Sequence, residues 1–140
     1  MLKNFNTALI AALSSVDGLT ARQYRGELGN PEGAKALARE LPLVMVDFVG
    51  DDHAGHALKK TAVFNLYIVH VSFSGNDTAR EGKRWELVDL VEEIDERITA
   101  KSFAGSQPVK LQKLQKLFDG QAGGGYLTAF MRTLHVELRK

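Results

Sequence analysis

The sequence predicts an α+β domain: an antiparallel-rich mixed sheet of four to five strands with two helices packed on one face. Three observations carry this expectation. Residues 60–74, KTAVFNLYIVHVSFS, form an apolar, β-branched and aromatic run. Such a run is about twice the length of a typical strand. Segments 2–16 and 82–100 repeat apolar residues at three- and four-residue spacing, as amphipathic helices do. The elements follow in the order helix, strand, strand, strand, helix, strand, strand, which one sheet with one helical layer accommodates.

Leu2, Phe5, Leu9, Ala12, Leu13 and Val16 make the apolar face of the first helix, and Asp17-Gly18 ends it, with Gly18 suited to a left-handed cap. Thr20 to Tyr24 follows as a strand with the small and polar residues of an edge. Asn30-Pro31-Glu32-Gly33 signals a turn, with Asn30 as cap and Pro31 at the first helical position. Ala34 to Glu40 is a short helical turn that Pro42 stops. Leu43 to Val49 is the second strand. Its near-continuous apolarity predicts burial on both faces, with Asp47 the charged exception. Gly50 to Lys59 reads as a polar, glycine-punctuated loop, short enough to make the second strand and the long strand antiparallel neighbours.

In the long strand Val63, Tyr67, Val69, Val71 and Phe73 share one face. Ala62, Phe64, Leu66 and Ile68 share the other, which turns polar at His70 and Ser72. Gly75-Asn76-Asp77 is a turn. In the helix Gly82 to Ala100, Leu87, Val91, Ile94 and Ile98 form a stripe widened by Val88 and Leu90. Trp85, at its start, is expected to anchor it to the sheet. Glu93 and Arg97 make an i, i+4 pair worth about 0.2–0.5 kcal/mol. Residues 101–109 form a loop. Leu111 to Phe118 fits either a helix or a strand, and a strand is favoured because Phe118-Asp119-Gly120 then runs into a turn. Gly120 to Gly125 reads as a flexible loop and Leu127 to Leu138 as the last strand.

A chain of 140 residues, 44% apolar and 25% charged, fits one globular domain. The net charge of +1 argues for neither nucleic acid nor membrane. The chain has no cysteine, which removes disulfides, thiolate nucleophiles and cysteine metal sites. Asn4, Asn6 and Thr7 interrupt the apolar start, so a signal peptide is not expected. No stretch approaches a membrane span.

The chemistry-bearing residues are sparse. Asp51, Asp52, His53 and His56 could hold a divalent cation, but their spacing matches no standard motif. A metal-dependent enzyme is therefore disfavoured, and no cofactor is expected. His70 and His135 have no serine, cysteine or acid placed beside them by sequence. Gly120 and Gly123-Gly124-Gly125 lack the Lys-Ser/Thr of a phosphate loop. Glu92-Glu93 reads as a solvated helix face before a glycosidase pair. The basic tail has no interleaved aromatics for base stacking.

Charge is nevertheless segregated. Residues 81–100 hold seven acids and three bases; residues 101–140 hold seven bases and two acids. Either these are two unrelated solvated faces, or the acidic face of one copy meets a basic surface of the next. Such a head-to-tail contact closes into a ring or grows into a filament. Glu92, Glu93 and Glu96 on one side, and Lys110, Lys113 and Lys116 on the other, are the candidate interface residues.

Several segments together resemble the small tail proteins of Mu-like phages and prophages, the family of Mu protein 37. They are the opening helix Leu2 to Val16 and the segment Glu40-Leu41-Pro42 leading into Val44, Val46, Phe48 and Gly50. The long strand Val63 to Phe73, the helix Trp85 to Ile98 and the final strand Leu127 to Leu138 complete the set. In element order the chain is also similar to the tail terminator, or tail completion, proteins of long-tailed phages. The resemblance rests on pattern and order across essentially the whole chain. It implies a non-enzymatic virion protein that assembles in the host cytoplasm as a ring, a hexamer, on the head-proximal end of the tail. Its partners would be its own copies, the tail tube protein and the head–tail connector proteins. The alternative is a small soluble protein-binding domain of a bacterial complex with no virion role.

Overall fold

The computed structural model describes residues 2–29, 42–52, 59–72, 77–99, 106, 108–122 and 125–139. Its elements are α1 (Leu2–Ser14), β1 (Thr20–Gln23), a 3₁₀ turn (Glu27–Gly29), β2 (Leu43–Asp52), β3 (Lys59–Ser72), α2 (Asp77–Thr99), β4 (Lys110–Ala122) and β5 (Gly125–Arg139). The strands form one five-stranded sheet in the order β1-β2-β3-β5-β4. β1 runs parallel to β2, and every other pairing is antiparallel. The α+β class therefore holds, with two helices and a mixed sheet among the described residues.

The periodicities placed the core well. Phe5, Leu9 and Leu13 of α1 and Leu87, Val91, Ile94 and Ile98 of α2 are buried. They pack on Val44, Val46, Ala62, Phe64, Leu66, Ile68, Leu134 and Val136 in one apolar layer. Those sheet residues share a face because side chains alternate along a strand. The Phe5 and Phe64 rings meet at 5.1 Å between centroids. Gly18 has φ +75°, the left-handed cap that closes α1.

The opposite face carries a smaller buried cluster, Leu43, Met45, Val69, Leu127 and Ala129, flanked by Tyr24, Leu28 and Tyr67. Tyr24 and Tyr67 stack at 4.5 Å. Farther along this face Thr133 donates a 3.0 Å hydrogen bond to Asn65 Oδ1.

Several boundaries move. β2 continues through Gly50, Asp51 and Asp52, which read as loop. β3 begins at Lys59, and α2 starts five residues before Gly82, at Asp77. Gly120 and Gly125, read as loop, pair in the β4–β5 ladder down to Ala122↔Gly125. Antiparallel pairing of long neighbours draws these polar and glycine residues into the ladder, where composition alone reads as turn. A ring atom of Phe118 comes within 3.5 Å of where a Cβ on Gly120 would sit, so the aromatic covers the bare backbone. The turn Ala34 to Glu40, the turn residues Gly75 and Asn76, and the histidines His53 and His56 lie outside the described residues.

Two expectations fail for a packing reason. Trp85 does not anchor α2: it is 63% exposed. Leu87, two residues on, faces the sheet, and a helix turns about 100° per residue, so Trp85 points away. β2 is buried on both faces only over Leu43 to Val46. Phe48 is 42% and Val49 54% exposed. β1 pairs with β2 only from Leu43 to Val46, so beyond Val46 no described strand flanks this side of β2.

Candidate interaction surfaces

The sheet presents two unlike edges. On one side β1 is four residues long, and β2 outruns it. Along β2 the register slips between Phe48 and Gly50, leaving Val49 as the extra residue of a bulge. Phe48 lies on the helix-bearing face, its ring 5.4 Å from that of Phe64. Next to it an open recess of about 220 Å³ is lined by Leu2, Lys3, Asn6, Gln23, Phe48 and Phe64. Asn6 Nδ2 donates to Gln23 Oε1 at 2.9 Å, and Asn6 Oδ1 is a buried acceptor without a partner. Asp51 is exposed and pairs with Lys60 at 3.4 Å.

On the other side β4 is the outermost strand, 13 residues long. Its ladder slips twice, between Leu111 and Leu114 and between Lys116 and Phe118. Leu117 is the unpaired residue of the second bulge. Leu117 and Phe118 are each 42% exposed.

The candidate interface residues are placed as follows. Lys110, Lys113 and Lys116 are exposed along β4. Glu92, Glu93 and Glu96 are exposed on α2. They therefore lie on two elements, an edge strand and the outer face of a helix.

Part of the segregated charge is neutralised inside one copy. Arg132 of β5 donates to both oxygens of Asp95 of α2, at 3.0 and 2.5 Å. Arg84 of α2 lies 3.3 Å from Asp119 of β4. Asp119 also accepts from Lys116 at 3.2 Å and from the Thr128 hydroxyl at 3.1 Å. Burial pushes the Asp119 carboxyl up, but these two hydrogen bonds and the Arg84 charge outweigh it and hold its pKa below the usual carboxylate value.

Asp47 behaves in the opposite way. It sits on the open face, and burial raises its pKa above the ordinary value, with the Tyr67 hydroxyl bond only partly offsetting this. Burial also raises the pKa of Tyr24 nearby. Arg22 pairs with Glu27 at 2.5 Å and closes the turn after β1.

His70 and His135 stand far apart in the ladder and on opposite faces, with His70 opposite Thr128 and His135 opposite Val63. The structure does not bring them together. Among the described residues no group of three or more histidines and carboxylates is placed to hold a metal ion. No described helix is long and apolar enough to cross a membrane.

The exposed pairs Phe48-Val49 and Leu117-Phe118 and the exposed Trp85 escape sequence reasoning. Phe48 and Val49 end an apolar run, while Trp85 and Leu117-Phe118 sit between charged neighbours, and the length of β1, the bulges and the phase of α2 turn them outward. The chain matches no protein-family model and no curated protein.

Proposed function

We propose that this chain is a non-enzymatic structural protein of a phage or prophage tail, of the terminator type. As a ring of copies it would cap the tail tube, stop its growth and offer a surface to the head connector. One observation carries this reading. Among the described residues the single sheet ends in two unlike edges, a four-residue β1 outrun by β2 and a 13-residue, bulged and lysine-bearing β4. A protein with two unlike docking edges associates head to tail, which is the geometry of rings. The helix-on-sheet architecture and its element order support the same reading through the resemblance to tail proteins.

The mechanism is geometric. Each copy uses its edges on its neighbours and leaves the helical layer and the loops for the tube and the connector. The test is assembly. Purified protein added to polymerising tail tubes is expected to sit at one end and shorten their length distribution, seen by electron microscopy. A stable monomer that neither binds tubes nor limits their length overturns the proposal.

A further inference from the structure

The ladder between β1 and β2 breaks off in the middle of β2. Thr20 N–H donates to the Pro42 carbonyl at 3.1 Å, and Tyr24 N–H to the Val46 carbonyl at 2.9 Å. Alternate residues of β2 thus turn their backbone toward β1, and Phe48 is the next in that phase. Past Tyr24 the chain leaves the line of β1: Gly26 has φ +87°, and the Arg22–Glu27 pair closes the turn. Among the described residues nothing meets the Phe48 N–H and C=O. The recess of about 220 Å³ opens beside this stretch, on the helix-bearing face. Asn6, in its wall, has a buried Oδ1 without a partner. Such orphaned acceptors are rare in native folds. Lys3, also in the wall, is exposed and forms no ion pair among the described residues.

We infer that this site takes an extended segment of a partner protein, added as a short strand beside β2 and in line with β1. Its backbone pairs with Phe48. One of its apolar side chains, alternating to the helix-bearing face, enters the recess. A cavity of about 150 Å³ accepts benzene, so a leucine or phenylalanine side chain suits this recess. An N–H or O–H of the segment supplies the donor that Asn6 Oδ1 lacks. The Lys3 ammonium favours an acidic residue next to the apolar one. The occupant is a short free segment and not the edge strand of another copy. Only residues 47–52 of β2 lie beyond its pairing with β1. Tyr24 and the turn after it close one end of that stretch. A strand such as β4, fixed in its own sheet along 13 residues, meets them before it can pair along its length. The inference goes beyond the ring reading and does not depend on it, since β1 and β4 stay uncovered.

Synthetic peptides in place of the partner test it. The probes are acetylated, amidated pentapeptides of valine and threonine with leucine at the centre and aspartate on one side of it or the other. Titrated into isotope-labelled protein, they are expected to give saturable NMR shifts at Phe48, Val49, Gln23 and the Asn6 side-chain amide, and to slow hydrogen exchange of the Phe48 N–H. Methylating the peptide nitrogens one at a time is expected to block binding at every second residue, since only alternate residues of an added strand face β2. Glycine in place of the central leucine is expected to abolish binding. Lys3→Glu is expected to shift the preference from the aspartate probes to their lysine counterparts by about two- to fivefold, the worth of an exposed ion pair. No saturable shift from any probe overturns the inference. So does a response to methylation without alternation, or an unchanged preference in Lys3→Glu. Shifts at Phe48 and Asn6 that grow with protein concentration in the absence of peptide overturn it in favour of a second copy.

Discussion

Two carboxylates show how local surroundings set opposite behaviour. The folded-state pKa of Asp47 is raised, so the folded protein holds a proton more tightly than the unfolded chain. Its contribution is complete at low pH and is lost as pH rises from the unfolded carboxylate value through the folded one. Asp47→Asn keeps an acceptor for Tyr67 and cannot ionise. Relative to wild type it is therefore expected to gain stability at pH 7 and little at pH 4, read from urea midpoints. The pKa of Asp119 is lowered, so its contribution is present above the unfolded value and is lost as pH falls through the folded one. Asp119→Ala removes an acceptor shared by Lys116, Thr128 and Arg84. It is expected to cost about 1–3 kcal/mol at neutral pH, with the deficit shrinking in acid. At Gly18, φ is +75°, where a Cβ is strained, and Gly18→Ala is expected to cost about 1 kcal/mol in thermal unfolding.

Between elements, the central connections are apolar packing and one bidentate ion pair. Phe64 of β3 touches Phe5 of α1 and Phe48 of β2, so Phe64→Ala opens the core at the junction of three elements. A cost of about 3–5 kcal/mol is expected from equilibrium unfolding. The Asp95–Arg132 pair joins α2 to β5 with both side chains largely shielded. Asp95→Ala and Arg132→Ala are each expected to cost about 1–3 kcal/mol. The double variant should cost clearly less than their sum, because the two groups act on each other. Additive losses would mean that the pair contributes no coupling. This pair also changes how the segregated charge is read: the acidic helix and the basic last third of the chain meet first inside one copy.

For the whole molecule, the unlike sheet edges decide how copies can meet. Lys110, Lys113 and Lys116 lie on the side proposed to dock. Reversing them to glutamate is expected to abolish assembly, since β4 is one of the two sheet edges proposed to dock. Reversing Glu92, Glu93 and Glu96 is expected to leave it intact. Light scattering on the two triple variants separates a contact through the edges from one through the helix face. Dissociation on rising salt is expected to be partial, because the apolar share of the contact is not screened.

The sequence by itself determined the class, the order of elements and most of the buried set. Helical and strand periodicities expose which side chains need cover, and Phe5, Leu9, Leu87, Ile94, Phe64 and Ile68 are buried where their spacing put them. It could not determine which sides of those elements stay bare. That depends on non-local pairing. β1 stops after four residues, β4 rather than β5 takes the outer position, and bulges at Val49 and Leu117 turn apolar side chains outward. A hydrophobic run reads the same whether its neighbour is present or missing. Only the tertiary structure supplies or withholds the neighbour, and so only it decided that Trp85, Phe48 and Phe118 belong to the surface.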